Sequence, residues 1–213
     1  MTPSQRILAG FVLGGCLWAA TRANAADAPS APPAAKPGVR IVDDLKYENA
    51  DAAQTAWRAE EKRDAHGARI AQESVAPVQP LVFGGRPVLK LTCNFKDTTI
   101  ARGVWDRRVA LDLSLAAAIS FDVYAQNLRA IGSAQLYLRS GDGWYGCKWY
   151  PKAEGQWNHI RLRKSHFYVD KPAAGWSKVE TIRFSPWAMQ REDATLYIAN
   201  LGVEQSPTSA LIL

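Results

Sequence analysis

The chain has 213 residues, 47% of them hydrophobic and 22% charged. That is the composition of one ordinary globular domain, and it sets aside a disordered chain or a multi-domain enzyme as first expectations. Lys and Arg outnumber Asp and Glu by 26 to 20, a net +6, but no run of five or six like charges occurs, so the excess reads as a solvated basic surface rather than a nucleic-acid arm. Eight Trp, seven Tyr and six Phe against three His and three Cys is the balance of a binding surface rather than of a metal or acid–base centre.

Taken in chain order, residues 1–25 read as a secretory signal peptide, with Arg6 as the positive region, Ile7 to Ala20 as the apolar region and Ala23-Asn24-Ala25 as the cleavage signal. The apolar stretch is too short to span a bilayer, which needs about 20 residues. Leu13-Gly14-Gly15-Cys16 offers a second reading, a bacterial lipoprotein site that would leave Cys16 lipidated. Removing Arg6 and Arg22 with the signal leaves 24 basic against 20 acidic residues, a net +4. Cys93 and Cys147 then remain, and export to an oxidising compartment leaves two alternatives, a Cys93–Cys147 disulfide or two separately buried thiols. Residues 26–38, rich in Pro and Ala, cannot build a core and read as a tether. A domain spanning 39–204 follows, then a tail, 205–213, with the apolar ending Ala210 to Leu213.

Within the domain, short runs alternate apolar and polar residues between Gly, Pro, Asp and Ser turn signals, which predicts an all-β, two-sheet antiparallel sandwich. Leu89-Lys-Leu91-Thr-Cys93-Asn-Phe95 is one such run. Ile119-Ser-Phe121, Leu136-Tyr-Leu138, Ile160-Arg-Leu162, Ile182-Arg-Phe184 and Leu196-Tyr-Ile198 repeat it. Residues 49–68 have helical composition, but with Trp57 as the only large apolar side chain there is no stripe to dock, and the segment carries little weight as a helix. Directing the apolar members of the runs inward turns Asp122, Tyr124, Tyr137, Arg139, His159, Arg161, Arg163, Thr181 and Arg183 outward. That set reads either as a solvated sheet face or as a platform on which Arg donates to hydroxyls or carboxylates and Tyr offers a flat ring.

The densest signal is Arg139-Ser-Gly-Asp-Gly-Trp-Tyr-Gly-Cys-Lys-Trp-Tyr-Pro151, a β-hairpin. Placing Cys147 inside takes Tyr145 and Trp149 with it and turns Trp144, Lys148 and Tyr150 outward. Exposed rings beside Lys and Arg suit a pyranose, whose C–H face stacks on an aromatic while polar groups fix its hydroxyls.

Gly155-Gln-Trp157-Asn-His-Ile160-Arg-Leu162, Trp176-Ser-Lys-Val179-Glu-Thr-Ile182-Arg-Phe184 and Thr195-Leu-Tyr-Ile198-Ala-Asn200-Leu201 resemble the C-terminal half of galactose-binding-like jelly rolls, the carbohydrate-binding modules of secreted glycoside hydrolases. Asp43-Asp44-Leu45 with Trp57 following, and Leu111-Asp112-Leu113-Ser114, are similar to the N-terminal half. The resemblance implies glycan binding by loop aromatics or on a concave sheet, an associated glycoside hydrolase, and a structural calcium. Asp43, Asp44 and Glu48 stand where the early acidic ligands would be, and Asn200 where the last strand usually supplies an Asp. It also leaves room for a non-sugar adaptor, since this fold serves both.

Catalytic alternatives find less support in the residues. Glycosidase chemistry needs two carboxyls about 5 to 9 Å apart, and Asp122, Asp142, Glu154, Asp170 and Glu180 show no such spacing motif. A lyase could use Tyr124 or Tyr137 as base with Arg161 neutralising a uronate. The His residues have no metal-binding or triad context. The sequence thus points to an exported, non-catalytic module that binds a polysaccharide or oligosaccharide through Trp144, Tyr150, Tyr137 and Arg139, with Trp105 or Trp176 closing the site. Trp149 and Trp157 read as core.

Overall fold

A computed structural model describes residues 30–36, 38–83 and 85–205 of the chain. The signal peptide, Cys16 and residues 206–213 of the tail lie outside the described residues. In chain order the elements are β1 (Val39–Asp43), α1 (Ala50–Ala56), β2 (Trp57–Ala59), β3 (Gln79–Phe83), β4 (Arg86–Cys93), β5 (Trp105–Leu111), β6 (Ala116–Gln126), β7 (Ile131–Ser140), β8 (Gly143–Trp149), β9 (Trp157–Arg163), β10 (Tyr168–Asp170), β11 (Val179–Ala188) and β12 (Ala194–Gln205). They form two six-stranded antiparallel sheets. Sheet I runs β3-β4-β12-β6-β9, with β1 also paired to β12; sheet II runs β10-β8-β7-β11-β5-β2.

The alternation in the sequence is what closes the sandwich. Ile119, Phe121, Ile160 and Leu162 from sheet I meet Leu136, Leu138, Ile182 and Phe184 from sheet II, and all eight are buried. Phe121 sets its ring edge-on to Trp149 at 5.0 Å and to Phe184 at 5.2 Å, so one aromatic knot ties the two sheets together. Trp57 reaches the same knot, 5.5 Å from Phe184.

The segment from residue 49 does open with a helix, shorter than its composition suggests. Asn49 caps α1 by accepting the Ala52 N–H at 2.9 Å, and Ala53 is the buried position. The helix stops at Trp57, which turns extended to begin β2 because its indole is held in the core: it donates to Asp43 Oδ2 at 2.8 Å. Asp43 also accepts from the Leu45 N–H at 2.9 Å and the Tyr47 hydroxyl at 2.6 Å, and Arg107 Nη1 lies 3.1 Å away. Burial and the adjacent Asp43 carboxylate push the Tyr47 hydroxyl well above its ordinary range.

Cys93 on β4 and Cys147 on β8 are both buried and both free, so the disulfide alternative is not realised. They stand on different sheets, and burial raises both thiols above their ordinary range.

The outward set divides in two. Tyr137, Arg139, Thr181 and Arg183 lie on sheet II, whereas Asp122, Tyr124, His159, Arg161 and Arg163 lie on sheet I, on the opposite side of the molecule. Asp122 is buried despite its outward direction, accepting from Asn200 Nδ2 at 2.6 Å and lying 2.8 Å from His159 Nδ1. Trp157 is half-buried and faces away from the main core, packed with Tyr124 in a small satellite cluster.

Candidate functional site

The outer face of sheet II is built by period-two alternation in its long strands. The β7–β8 hairpin pairs Arg139 with Trp144 and Tyr137 with Gly146. With Tyr145, Cys147 and Trp149 buried, Trp144 and Lys148 project outward. Neighbouring β11 sends out Thr181 and Arg183, with Arg183 opposite Tyr137 on one side and Asp106 of β5 on the other.

Arg183 organises this face. It grips Asp106 through Nε to Oδ1 at 2.6 Å and Nη2 to Oδ2 at 2.7 Å, the bidentate geometry that a planar guanidinium makes with a carboxylate. Its guanidinium carbon lies 4.5 Å from the Trp144 ring centroid. Tyr137 sets its ring at 80° to Trp144 with centroids 6.2 Å apart. The indole is thereby oriented from two sides while remaining only half-buried.

Tyr168 of β10 extends the face. Its ring crosses β8 at Gly146, where a Cβ would fall 2.5 Å from Tyr168 Cζ and 3.0 Å from Tyr137 Cε1. Only glycine leaves that space, and through it the Tyr168 hydroxyl donates to Gln135 Oε1 at 2.6 Å. Burial and the Tyr137 hydroxyl raise the Tyr168 hydroxyl above its ordinary range. Beside Trp144 lies a recess of about 300 Å³ reached by the guanidiniums of Arg58, Arg108, Arg139 and Arg183 and the carboxylates of Glu60 and Asp106. Among the described residues Arg58, Arg108 and Glu60 make no side-chain hydrogen bond or ion pair, so their polar groups are open to a ligand.

Three of the expected contact residues, Trp144, Tyr137 and Arg139, are brought together. The other three are not. Tyr150 lies on the same side of the sheet but six residues beyond Trp144, about 20 Å at the rise of a strand, and its hydroxyl donates to the Leu128 and Ile131 carbonyls at 3.0 and 3.1 Å. Trp105 is fully buried and donates to the Ala76 carbonyl, because the alternation of β5 gives its outward positions to Asp106 and Arg108. Trp176 stacks on Tyr145 at 4.1 Å and plugs the edge of the core. What the sequence pattern missed was Arg183 as organiser, Asp106, Arg108, Arg58, Glu60 and Tyr168. The alternation of Trp105-Asp106-Arg107-Arg108 carried a signal for two of these, while β2 and β10, three residues each, are too short to show a period.

Three of the four expected calcium ligands, Asp43, Asp44 and Asn200, are engaged in other contacts. Asp43 is consumed by Tyr47, Trp57 and Arg107, and Asp44 accepts the Lys46 N–H at 3.0 Å. Glu48 is exposed, and Asn200 donates its amide to Asp122 and to the Pro33 carbonyl. Among the described residues no group of three or more His, Cys, Asp or Glu is placed to hold a metal. Of the catalytic pairings, Tyr137 and Arg161 stand on opposite sheets, whereas Tyr124 and Arg161 share sheet I, with Tyr124 opposite Trp157 and Arg161 opposite Ser120; Arg161 is paired with Glu204 at 2.5 Å, and Glu154 accepts the Asn127 and Leu128 N–H groups at 2.9 Å.

No sequence-family model matches the chain, and no curated protein does. Among solved structures, the family 11 carbohydrate-binding module of a cellulosomal cellulase of Clostridium thermocellum is similar over 82% of this chain and 97% of its own, with a TM-score of 0.53 at 13% identity. The same organism's module in complex with a β-1,3-1,4-mixed-linked tetrasaccharide is similar over 82% and 98%, with a TM-score of 0.53 at 14% identity. The solution structure of CtCBM11 is similar over 79% of this chain and 96% of its own, with a TM-score of 0.50 at 15% identity. The fold is therefore a two-sheet antiparallel β-sandwich similar to that of these carbohydrate-binding modules.

Proposed function

We propose that the protein is an exported, non-catalytic carbohydrate-binding module whose ligand lies on the outer face of sheet II, with Trp144 as the stacking platform. The observation that carries the reading is the juxtaposition at the recess: one oriented, half-exposed indole beside four guanidiniums and two carboxylates. A pyranose needs both kinds of group. Its axial C–H face packs on the indole, and its hydroxyls are fixed by Arg donors and a Glu60 acceptor. Asp106 is already neutralised by Arg183, and Arg139 donates Nε to the Gly141 carbonyl at 3.0 Å but has no carboxylate partner, so the guanidinium charges of Arg58, Arg108 and Arg139 stand against the single carboxylate of Glu60, a balance that favours a saccharide carrying carboxylate or sulfate.

Affinity electrophoresis against neutral and acidic polysaccharides tests this. Retardation by an acidic polysaccharide is the expected result, with Trp144→Ala weakening binding by about tenfold or more and Tyr150→Ala leaving it intact. Migration unchanged by every polysaccharide refutes the function. Undiminished binding by Trp144→Ala refutes the site.

A further inference from the structure

The outer face of sheet I carries a row of rings that glycan binding on sheet II does not use. Register aligns Tyr197 of β12 with Tyr124 of β6, and Tyr124 with Trp157 of β9, so three adjacent strands present an aromatic in one line. Phe83 of β3 extends it. Successive ring centroids are 5.5, 6.0 and 5.8 Å apart from Phe83 through Tyr197 and Tyr124 to Trp157, each contact edge-on. The rings form an apolar cluster separate from the main core.

Residues 30–36, Ser-Ala-Pro-Pro-Ala-Ala-Lys, lie against this face. Trp157 Nε1 donates to the Ser30 carbonyl at 2.7 Å, Asn200 Nδ2 donates to the Pro33 carbonyl at 2.8 Å, and Pro32 between them is buried. Proline fixes its own φ near −65° and pushes the residue before it out of the helical region, so Ala31 and Pro32 are confined to extended or polyproline II backbone and Pro33 has its φ fixed to match. Polyproline II repeats every three residues, about 9 Å, and makes no internal hydrogen bonds. The carbonyls of residues 30 and 33 therefore project on one side with no partner in their own segment, and the sheet supplies a donor for each.

Asn200 is shaped for that role. It sits at φ 53° within the irregular pairing of β12 between Ala199 and Gly202, a left-handed conformation that Asn tolerates. Its amide is shared between Pro33 and the buried Asp122 carboxylate, which holds it in place.

We propose that the outer face of sheet I is a binding site for a proline-rich segment in polyproline II conformation, and that its occupant is residues 30–36 of this same chain. Aromatic rings with donors spaced for successive turns of backbone are the chemistry by which such segments are recognised. The segment is then a docked strap rather than a free tether, and it places Ser30 on the side of the molecule opposite Trp144. The proposal is independent of glycan binding.

The Trp157 indole N–H reports on it directly by NMR in the full chain, with Trp157→Phe assigning the resonance. Slow exchange with solvent is expected in the wild-type protein. Combined Pro32→Gly and Pro33→Gly substitution should raise the exchange rate by about tenfold or more, toward that of an open indole, while the Trp144 resonance stays put and shows the fold intact. A synthetic peptide of residues 26–38 should restore the wild-type shift in the doubly substituted protein. It should act at least about tenfold more weakly on the wild type, where the tethered segment competes at an effective concentration near millimolar. A wild-type indole that exchanges freely, an exchange rate insensitive to both substitutions, or an opened site that ignores millimolar peptide each overturns the proposal. Glycan retardation is expected to be the same in wild type and double variant, which separates this test from that of sheet II.

Discussion

Asp43 illustrates how one residue can invite a reading that its neighbours then exclude. An acidic residue near the start of the domain suits a metal ligand, yet its side chain is 3% exposed and surrounded by three donors and the Arg107 guanidinium. Replacing it with Ala leaves a tyrosine hydroxyl and an indole N–H without their acceptor, and leaves the Arg107 guanidinium, whose Nη1 still donates to the Tyr47 hydroxyl at 2.7 Å, without its counter-ion. Such a loss costs about 3 kcal/mol, which for a domain of this size lowers Tm by roughly 10 °C. Thermal unfolding followed by circular dichroism checks this, and added calcium should leave the wild-type Tm unchanged. Trp144 is the converse case. Alternation turned it outward, but Arg183 and Asp106, from strands distant in sequence, make it a platform.

The β8 strand with its neighbours β7 and β10 is the element on which the face depends. Gly146 is where it could be altered most simply, since an added methyl meets the far end of the Tyr168 ring. Gly146→Ala should swing Tyr168 off the sheet and break its bond to Gln135, at a cost of about 1 kcal/mol. Tyr168→Ala should cost about the same, and in that background Gly146→Ala should add much less than it does alone, since the Tyr168 contact is gone and only the 3.0 Å approach to Tyr137 Cε1 remains. Urea unfolding of the four proteins completes the cycle; additive losses would mean that Gly146 and Tyr168 act separately. β10 has three exposed residues and no visible period, so its contribution was legible only once it was paired to β8.

At the scale of the whole molecule, the two outer faces divide the work. Sheet II presents an open, guanidinium-rich recess, and sheet I presents a row of rings that meets the chain's own proline-rich segment at Trp157. If the recess takes an acidic glycan, ionic strength must weaken the complex, because exposed charge pairs are screened within about 8 Å at physiological salt. The dissociation constant from calorimetry should rise several-fold between about 0.05 and about 0.5 M NaCl, and a ligand held only by stacking on Trp144 would show no such rise.

Alternation of apolar residues determined the sandwich, the eight core positions around Phe121 and the direction of each side chain in the β7–β8 hairpin. Those are properties of one strand at a time, since a pleated backbone sends successive side chains to opposite faces whatever its partners. Which sheet a strand joins depends on contacts between residues far apart in sequence. For that reason Asp122, Tyr124, His159, Arg161 and Arg163 read as one surface with Tyr137 and Arg183 although the molecule places them back to back. The same limit hid the Arg183–Asp106–Trp144 assembly, which spans β11, β5 and β8, and the strap, whose anchors Trp157 and Asn200 lie more than a hundred residues from Ser30 and Pro33. Local periodicity established the faces, and tertiary pairing decided what each face can bind.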